Sequence, residues 1–450
     1  MTAAPLSKIA AIVLAAGQGT RMKSARHKVL HPIAHKPMLL HILDALAPLA
    51  PAAQVVVVGA GRDQVEAALS GHAVSLAVQA EQHGTGHAVR QAEAALAGFS
   101  GTILILFGDV PLITSTTLHH LAATLDDQTG IVVLGFRPAH AGAYGRIIAD
   151  QGRVKKMVEF KDASPAERAE TLCNAGLMAV RSTDLWRWLS GITNQNAAGE
   201  YYLPDIVTMA LAEGRNVRVI ETGADEVTGV NSRAELAAAE ALWQVRRRAE
   251  LMAAGVSLVA PETVFLAHDT DIAADVLIEP FNVFGPGVRI ASGTRIRAHC
   301  HLEGAHIGPD CDIGPFARLR PGTILDANAR IGNFVETKNA HLGEGAKANH
   351  LSYLGDAQIG AHANIGAGTI TCNYDGHFKY KTQIGDHAFI GSNSALVAPV
   401  SIGAGAIVAA GSTITANVSP DALALVRPAQ TEKPGWAARF HAAMRARKKA

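Results

Sequence analysis

The sequence has no charge excess and no long apolar run. Its 40 basic and 39 acidic residues leave a formal net charge of +1, so there is no electrostatic case for a nucleic-acid or membrane partner. No stretch of about 18 uncharged apolar residues is present. The apolar run near the start is short and is broken by Gly17, unlike a signal peptide. We therefore predict a cytoplasmic protein.

Cysteine is also scarce. The four cysteines lie at 173, 300, 311 and 372 without CxxC spacing, which favours reduced thiols over a disulfide framework or a zinc site. Apolar residues make up 48% of the chain and charged residues 18%, a balance typical of a folded globular protein. A chain of 450 residues exceeds what one core normally serves, so we expect at least two domains.

The first half alternates strand-like and helix-like segments. Short β-branched or apolar runs predict buried strands at residues 9–15, 55–59, 75–79 and 102–107. Apolar stripes between them predict helices at residues 38–49, 62–69 and 86–96. This alternation predicts an α/β, Rossmann-like domain over residues 1–231, built on a largely parallel sheet with helices on both faces.

A single long helix is predicted next, over residues 232–255. Ser232 and Glu235 form a capping-box pattern at its start, and Gly255 can end it. We expect this helix to link the two domains.

The remainder, residues 256–450, follows a period of six. Aliphatic or aromatic residues recur at every sixth position in three phases: 272, 278, 284, 290, 296 and 302; 307, 313, 319, 325 and 331; and 384, 390, 396, 402, 408 and 414. This period predicts a parallel β-helix of hexapeptide repeats, in which each unit forms one face of a triangular coil. Residues 369–383 break the phase and are predicted to bulge out as a loop.

A glycine-rich loop, LAAGQGTRM at residues 14–22, follows the first predicted strand. Such loops let backbone N–H groups approach phosphates. The segment matches neither GxGxxG nor a P-loop, and a tight structural turn is the alternative. Arg21 lies near the end of this segment and Lys28 lies just after it, and two cations there favour a triphosphate ligand.

These motifs resemble the sugar nucleotidyltransferases. Nearly the whole chain resembles the bifunctional N-acetylglucosamine-1-phosphate uridylyltransferase/glucosamine-1-phosphate acetyltransferase family, in which the β-helix is left-handed. The supporting motifs in the first half are QAEQHGTGH (79–87), FGDVP (107–111), YGR (144–146), NAG (174–176), EYY (200–202) and GVN (229–231). Those in the second half are FARLRPG (316–322), GNFVETK (332–338), NHLSY (349–353) and NIGAGTITCNYDG (364–376).

The resemblance implies a first site for UTP, a sugar phosphate and Mg²⁺. Asp109 and Asn231 would hold the metal, while Arg21 and Lys28 would neutralise phosphate charge. The implied UTP and sugar-nucleotide residues are Leu14, Ala15, Ala16, Gly17, Lys28, Gln79, Gly84, Thr85, Phe107, Gly108, Asp109, Gly145, Glu159, Asn174, Tyr202 and Asn231. Two residues depart from the family pattern: Phe107 replaces an expected Tyr, and Pro204 replaces an expected Thr.

The resemblance also implies an acetyl-CoA-dependent site in the second half. His350 would be the general base, which histidine suits near neutral pH, and Glu336 would orient it. The implied sugar-phosphate residues are Arg320, Lys338, Tyr353 and Asn364, and the implied acetyl-CoA residues are Ala367, Asn373, Tyr374, Ser392, Ala410 and Arg427. A homotrimer is implied as well.

The expected function is acetylation of glucosamine-1-phosphate by acetyl-CoA, followed by UMP transfer from UTP to N-acetylglucosamine-1-phosphate. Two alternatives remain open at this point. One is a nucleotidyltransferase whose β-helix is structural or regulatory. The other is a non-catalytic binding module that senses a sugar nucleotide.

Overall fold

The computed structural model describes residues 8–449. The chain divides into two compact units, one up to Arg247 and the other from Arg248 onward. This boundary falls inside one long helix. No helix in the described range is long and apolar enough to cross a membrane.

The first unit combines eleven strands with helices. The strands are β1 (Ile9–Ala15), β2 (Pro32–Ile33), β3 (Lys36–Pro37), β4 (Ala53–Val58), β5 (Ser75–Val78), β6 (Thr102–Phe107), β7 (Thr129–Phe136), β8 (Arg146–Asp150), β9 (Arg153–Val158), β10 (Cys173–Arg181) and β11 (Asn216–Thr222). The helices are α1 (Met38–Leu46), α2 (Arg62–Ala68), α3 (Thr85–Arg90), α4 (Ser115–Ala123), α5 (Pro165–Arg168), α6 (Ser182–Gly191), α7 (Asp205–Ala212) and α8 (Arg233–Ala253).

Nine of these strands form one sheet in the order β5-β4-β1-β6-β10-β7-β11-β9-β8. Strands β5, β4, β1 and β6 are parallel, whereas β10 runs antiparallel to both β6 and β7. All seven residues of β1 are buried. Its alternate side chains enter two separate apolar clusters, so the sheet is covered on both faces, as a doubly covered α/β sheet requires.

Local chemistry shortened two predicted helices. The helix predicted over 38–49 ends at Leu46 and continues as the 3₁₀ segment Ala47–Leu49, because Pro48 disfavours a further α turn. The helix predicted over 86–96 ends at Arg90, and Ala94–Leu96 is a separate 3₁₀ turn.

Helix α8 begins with the Ser232 cap, whose hydroxyl accepts from the Glu235 N–H at 3.3 Å. The Glu235 carboxylate accepts from the N–H of Asn231 at 2.7 Å. This contact lies one residue before the cap, where a capping box would use Ser232 itself. Glu235 therefore anchors the backbone of a predicted site residue.

The second unit is a stack of short strands. They are β12 (Ser257–Leu258), β13 (Asp271–Ile272), β14 (Leu277–Ile278), β15 (Val283–Phe284), β16 (Arg289–Ile290), β17 (Arg295–Ile296), β18 (His301–Leu302), β19 (Ala305–Ile307), β20 (Asp312–Ile313), β21 (Arg318–Leu319), β22 (Thr323–Leu325), β23 (Arg330–Asn333), β24 (Glu336–Leu342), β25 (Lys347–His350), β26 (Tyr353–Ile359), β27 (Asn364–Ile365), β28 (Ile370–Cys372), β29 (Thr382–Ile384), β30 (Phe389–Ile390), β31 (Ala395–Val397), β32 (Val400–Ile402), β33 (Ile407–Val408), β34 (Thr413–Ile414) and β35 (Leu423–Ala424). A final helix, α9, spans Trp436–Lys449.

These strands pair only in parallel, one coil apart, and form a ten-stranded and a fourteen-stranded sheet. Asp271 pairs with Arg289, and Arg289 pairs with His306, so successive coils hold 18 and 17 residues. All seventeen residues predicted from the period of six are buried. The parallel β-helix is thereby confirmed, and its hexapeptide repeats are consistent with the left-handed form.

One predicted loop was too long. Within residues 369–383, Ile370–Cys372 and Thr382–Ile384 are strands of the coil, and Thr371 is fully buried. Gln358 pairs with Gln383, so this coil holds 25 residues. Only the middle of the segment leaves the coil, and Tyr374 and Lys379 close it through an isolated bridge.

Candidate active sites

A cavity of about 290 Å³ opens beside the carboxyl ends of β1 and β6. In an open α/β sheet this edge is where ligands bind. Ten of the residues predicted for UTP line it: Leu14, Ala15, Ala16, Gly17, Lys28, Gln79, Gly84, Thr85, Phe107 and Asp109. The first unit therefore gathers, from several loops, most of the residues that the motifs indicated.

A second cavity of about 280 Å³ adjoins the first. Gly145, Glu159 and Asn174, which the resemblance assigns to the sugar, line it. Thr85, Phe107 and Asp109 line both cavities. Two ligands bound side by side would therefore meet at Asp109.

The glycine loop lets Lys28 reach the first cavity. Gly19 has a φ of +63°, and a Cβ there would lie 2.5 Å from Cβ of Lys28. The Lys28 side chain thus packs directly over Gly19, which has no side chain, and its Nζ lies near Gly17. The tight turn that was the alternative to a phosphate loop is present, and it places a cation in the cavity.

Lys28 joins the two predicted metal ligands. Its Nζ donates to Asp109 Oδ2 at 2.6 Å and to Asn231 Oδ1 at 3.1 Å. The N–H of Val230 also donates to the carbonyl of Asp109 at 2.8 Å. Both side chains of the Lys28–Asp109 pair are largely buried, which strengthens their attraction relative to a surface pair.

The donor set fits a hard divalent cation. One carboxylate oxygen and one amide oxygen face the same point, and Mg²⁺ is commonly held by one or two such protein oxygens together with substrate phosphates. No cluster of three or more His, Cys, Asp or Glu side chains suited to a metal occurs within residues 8–449. A metal at Asp109 and Asn231 would therefore depend on phosphate oxygens for its remaining ligands.

Gln79 is almost fully buried, at 4% exposure. Its Nε2 donates to the carbonyl of Gly84 at 3.1 Å. Gly84 has a φ of +104°, and a Cβ there would lie 2.7 Å from the carbonyl of Tyr201. The loop that frames the cavity therefore requires glycine at this position.

Glu159 lies in an acidic environment beside Gly145. A Cβ added to Gly145 would lie 3.2 Å from Glu159 Oε1. Burial raises the pKa of Glu159, and the carboxylates of Asp162, Asp205 and Glu200 raise it further. Burial, followed by the same group of acids, also raises the pKa of Tyr202. An uncharged sugar hydroxyl suits such a pocket better than another anion does.

The remaining predicted residues of the first unit lie around this core. Arg21 is exposed on the 3₁₀ turn Thr20–Met22, and Gly108 N–H donates to Leu14 O at 2.8 Å. Phe107 packs against Gly176, and a Cβ added to Gly176 would lie 2.8 Å from the Phe107 ring. Pro204 precedes the first residue of α7, a position that needs no N–H.

In the second unit, His350 is exposed and its Nδ1 lies 2.8 Å from Oδ1 of Asn333. Glu336, which the resemblance indicated as its orienting partner, accepts from Arg320 at 2.9 Å instead. Within the described chain, the neighbour of the imidazole is thus an amide one coil away. Asn333 lies within the GNFVETK motif, but its contact with His350 was not predicted, because the pairing depends on coil length.

Three cations gather near this face. The Lys379 ammonium beside Lys338 lowers the pKa of Lys338, and Arg320 acts in the same direction while Asp356 opposes them. Such a cluster suits a phosphate group. Lys379 lies in the segment that leaves the coil, and sequence reasoning missed it.

Tyr353 borders a crowded polar corner. A Cβ on Gly355 would lie 2.5 Å from Tyr353 Oη and 2.7 Å from Asn373 Nδ2. Asp356 accepts from Asn339 at 2.6 Å and from Asn373 at 2.5 Å. Asn373 is therefore held by a carboxylate of the preceding coil, while Tyr374 is exposed and donates to Gly376 O.

Most predicted acetyl-CoA residues follow one corner of the coil. Asn393 N–H donates to Ala367 O at 2.7 Å, and Gly411 N–H donates to Ser392 O at 2.9 Å. Arg427 donates to Ala410 O at 2.6 Å. Asn364 is half-buried on β27 of the neighbouring face. These positions rise coil by coil, as a long pantetheine arm requires.

Comparison with known proteins gives matches to both units. The profile of the MobA-like NTP transferase domain matches residues 11–183, and that of the bacterial transferase hexapeptide (six repeats) matches residues 381–416. Proteins named "Bifunctional protein GlmU" are similar over nearly the whole chain. Those of Sphingopyxis alaskensis, Rhizorhabdus wittichii and Novosphingobium aromaticivorans are 63%, 60% and 59% identical, each covering 98% of this chain and 98% of the relative.

Proposed function

Because the chain belongs to the GlmU family of bifunctional proteins, we propose that it makes UDP-N-acetylglucosamine in two steps. The second unit acetylates glucosamine-1-phosphate with acetyl-CoA. The first unit then transfers UMP from UTP to N-acetylglucosamine-1-phosphate and releases pyrophosphate. The observation that carries this proposal is the meeting of Lys28, Asp109 and Asn231 where the two adjoining cavities share Asp109.

In UMP transfer, an oxygen of the sugar phosphate attacks the α-phosphorus of UTP, and the bond to the bridging oxygen breaks. The nucleophile is already anionic, so positioning and charge neutralisation supply most of the catalysis. Lys28 and Arg21 would neutralise phosphate charge, while Glu159 and Asn174 would hold the sugar. Asp109 and Asn231 would hold Mg²⁺, which would offset charge on the phosphate oxygens.

In acetyl transfer, the sugar amine attacks the thioester carbon, and the thiolate of coenzyme A leaves. The amine must lose a proton, and His350 would accept it. Asn333 Oδ1 lies 2.8 Å from Nδ1 of His350, so it would favour a proton on Nδ1 and leave Nε2 free as the base. Arg320 and Lys338 would hold the sugar phosphate, and backbone N–H groups near Ala367 would stabilise the oxyanion.

The proposed assembly is a homotrimer. His350 ends β25 of the ten-stranded sheet, whereas Glu336, Lys338 and Tyr353 lie on β24 and β26 of the fourteen-stranded sheet. An exposed ladder of stacked rings runs up the coil toward His350, comprising Phe281, His299, Phe316 and Phe334. Exposed apolar stripes of this kind mark interfaces, and a neighbouring copy would cover it.

The proposed compartment is the cytoplasm. All four cysteines are free thiols, and burial raises the pKa values of Cys300 and Cys311 to about 11. Such thiols are unreactive, and their use without pairing is typical of a reducing compartment.

The test is a reconstitution. Purified full-length protein is mixed with glucosamine-1-phosphate, acetyl-CoA, UTP and Mg²⁺, and UDP-N-acetylglucosamine is measured by chromatography. The proposal predicts its formation. Failure over a broad range of pH and metal concentration, with a folded protein, would refute it.

A further inference from the structure

A histidine beside the first cavity has no role in the mechanism above. His87 lies half-buried on α3, between two glutamine side chains. Gln79 Nε2 is 3.1 Å from its Nδ1, and Gln91 Nε2 is 3.2 Å from its Nε2. Both contacts place an amide NH₂ group against the ring.

Backbone carbonyls fix the orientation of both amides. Gln79 Nε2 also donates to Gly84 O at 3.1 Å, and Gln91 Nε2 donates to His87 O at 3.0 Å. A carbonyl oxygen can only accept, so each NH₂ group must face its carbonyl and hence the ring. In the described chain, nothing donates to Gln79 Oε1, and Gln79 lines the cavity.

This arrangement requires a neutral ring. A neutral imidazole has one nitrogen that can accept a hydrogen bond, whereas an imidazolium has none, so the ring can accept from only one of the two amides and only when it is neutral. If Nδ1 is the acceptor from Gln79, the proton lies on Nε2 and the contact with Gln91 is not a hydrogen bond. Burial is the main cause that lowers the pKa of His87, and His83 and Arg90 lower it further. The carbonyl and carboxylate of Glu81 act against them, and the ring of Tyr201 lies 6.5 Å away.

We propose that His87 is a positioning residue for base selection: its Nδ1 accepts from Gln79 Nε2 and, together with the Gly84 carbonyl, keeps Gln79 Oε1 turned toward the bound base. This inference rests on the proposed use of UTP. Uracil presents an N3–H donor to such an oxygen, whereas cytosine presents an acceptor at N3 and is repelled. An imidazolium at 87 would turn the amide and reverse this preference.

The test measures kcat/KM for UTP and CTP in wild type and three variants. In His87→Asn an oxygen can replace Nδ1 as acceptor, in His87→Leu no acceptor remains, and in His87→Lys only donors face Gln79. We expect the UTP/CTP ratio to stay within about threefold in His87→Asn, to fall about tenfold in His87→Leu and to fall about a hundredfold in His87→Lys. Circular dichroism and thermal unfolding of the same preparations check that the first unit of each variant folds.

The outcomes separate this inference from the proposed function. Absence of UMP transfer from UTP in the wild type would refute the function itself. A normal wild type with an unchanged UTP/CTP ratio in folded His87→Lys would overturn the role of His87, as would equal losses with both nucleotides in all three variants. The wild-type ratio should also stay constant above about pH 6.5 and decline only below it, because the lowered pKa keeps the ring neutral at higher pH.

Discussion

In the first unit, Lys28 contacts Asp109 and Asn231, which lie 81 and 203 residues further along the chain. In the second unit, the contacts of the candidate site join residues one coil apart: Arg320 to Glu336 at a separation of 16, and His350 to Asn333 at 17. One site thus depends on the topology of a sheet and the other on the length of a repeat. Consequently, a mutation at either site should leave the other activity intact.

The largest expected effect concerns His350. Changing His350→Ala removes the base, so we expect acetyl transfer to fall about 10³-fold while UMP transfer is unchanged. Separate assays with glucosamine-1-phosphate and with N-acetylglucosamine-1-phosphate measure the two rates. His362→Ala, an exposed histidine on another part of the coil, serves as the control. Unchanged acetylation in His350→Ala would exclude it as the base.

The reciprocal change is Asp109→Asn, which keeps the shape and removes the charge. UMP transfer should fall about 10²–10³-fold, with acetyl transfer unaffected. The matched control is Asp63→Asn on the exposed part of α2. If Asp109→Asn transferred UMP normally, the shared edge of the two cavities would not be the reaction centre.

Lys28 provides a finer test of the same point. Since its ammonium lies between Asp109 and Asn231, it should oppose metal binding when no nucleotide is present. We expect Lys28→Met to bind Mn²⁺ about tenfold more tightly than wild type without UTP, as measured by electron paramagnetic resonance. Lys23→Met, an exposed control, should match wild type. Equal Mn²⁺ affinity in Lys28→Met and wild type would show that the lysine does not compete for those oxygens.

The smallest effect concerns stability at Glu159. Because its folded-state pKa is raised, ionisation penalises folding as pH rises through that value, and the penalty is absent below the ordinary pKa. We therefore expect Glu159→Gln to raise the melting temperature by about 2 °C at pH 8, with no gain at pH 4. It should also raise KM for the sugar phosphate. If Glu159→Gln gained more melting temperature over wild type at pH 4 than at pH 8, the assigned direction of the Glu159 pKa shift would be wrong.

The comparison also explains what sequence could predict. The buried positions of the coil, such as Ile278 and Leu319, could be predicted because a six-residue period is a local property of the sequence. The β-helix could therefore be predicted from the spacing of its apolar residues. Strands β1 and β6 were predicted to the residue because both are uninterrupted apolar runs. Sequence did not reveal the roles of Lys379, Asn333 and His87. Their partners are set by coil register or by loop packing, and neither is visible in composition or in the six-residue period.

The most direct test of the account is the coupled reaction with each cosubstrate omitted in turn. Without UTP, N-acetylglucosamine-1-phosphate should accumulate. Without acetyl-CoA, glucosamine-1-phosphate should remain unchanged, although added N-acetylglucosamine-1-phosphate should still yield UDP-N-acetylglucosamine. If either half-reaction instead required the cosubstrate of the other, or if one failed while the other proceeded, the claim of two independent sites in one chain would be contradicted.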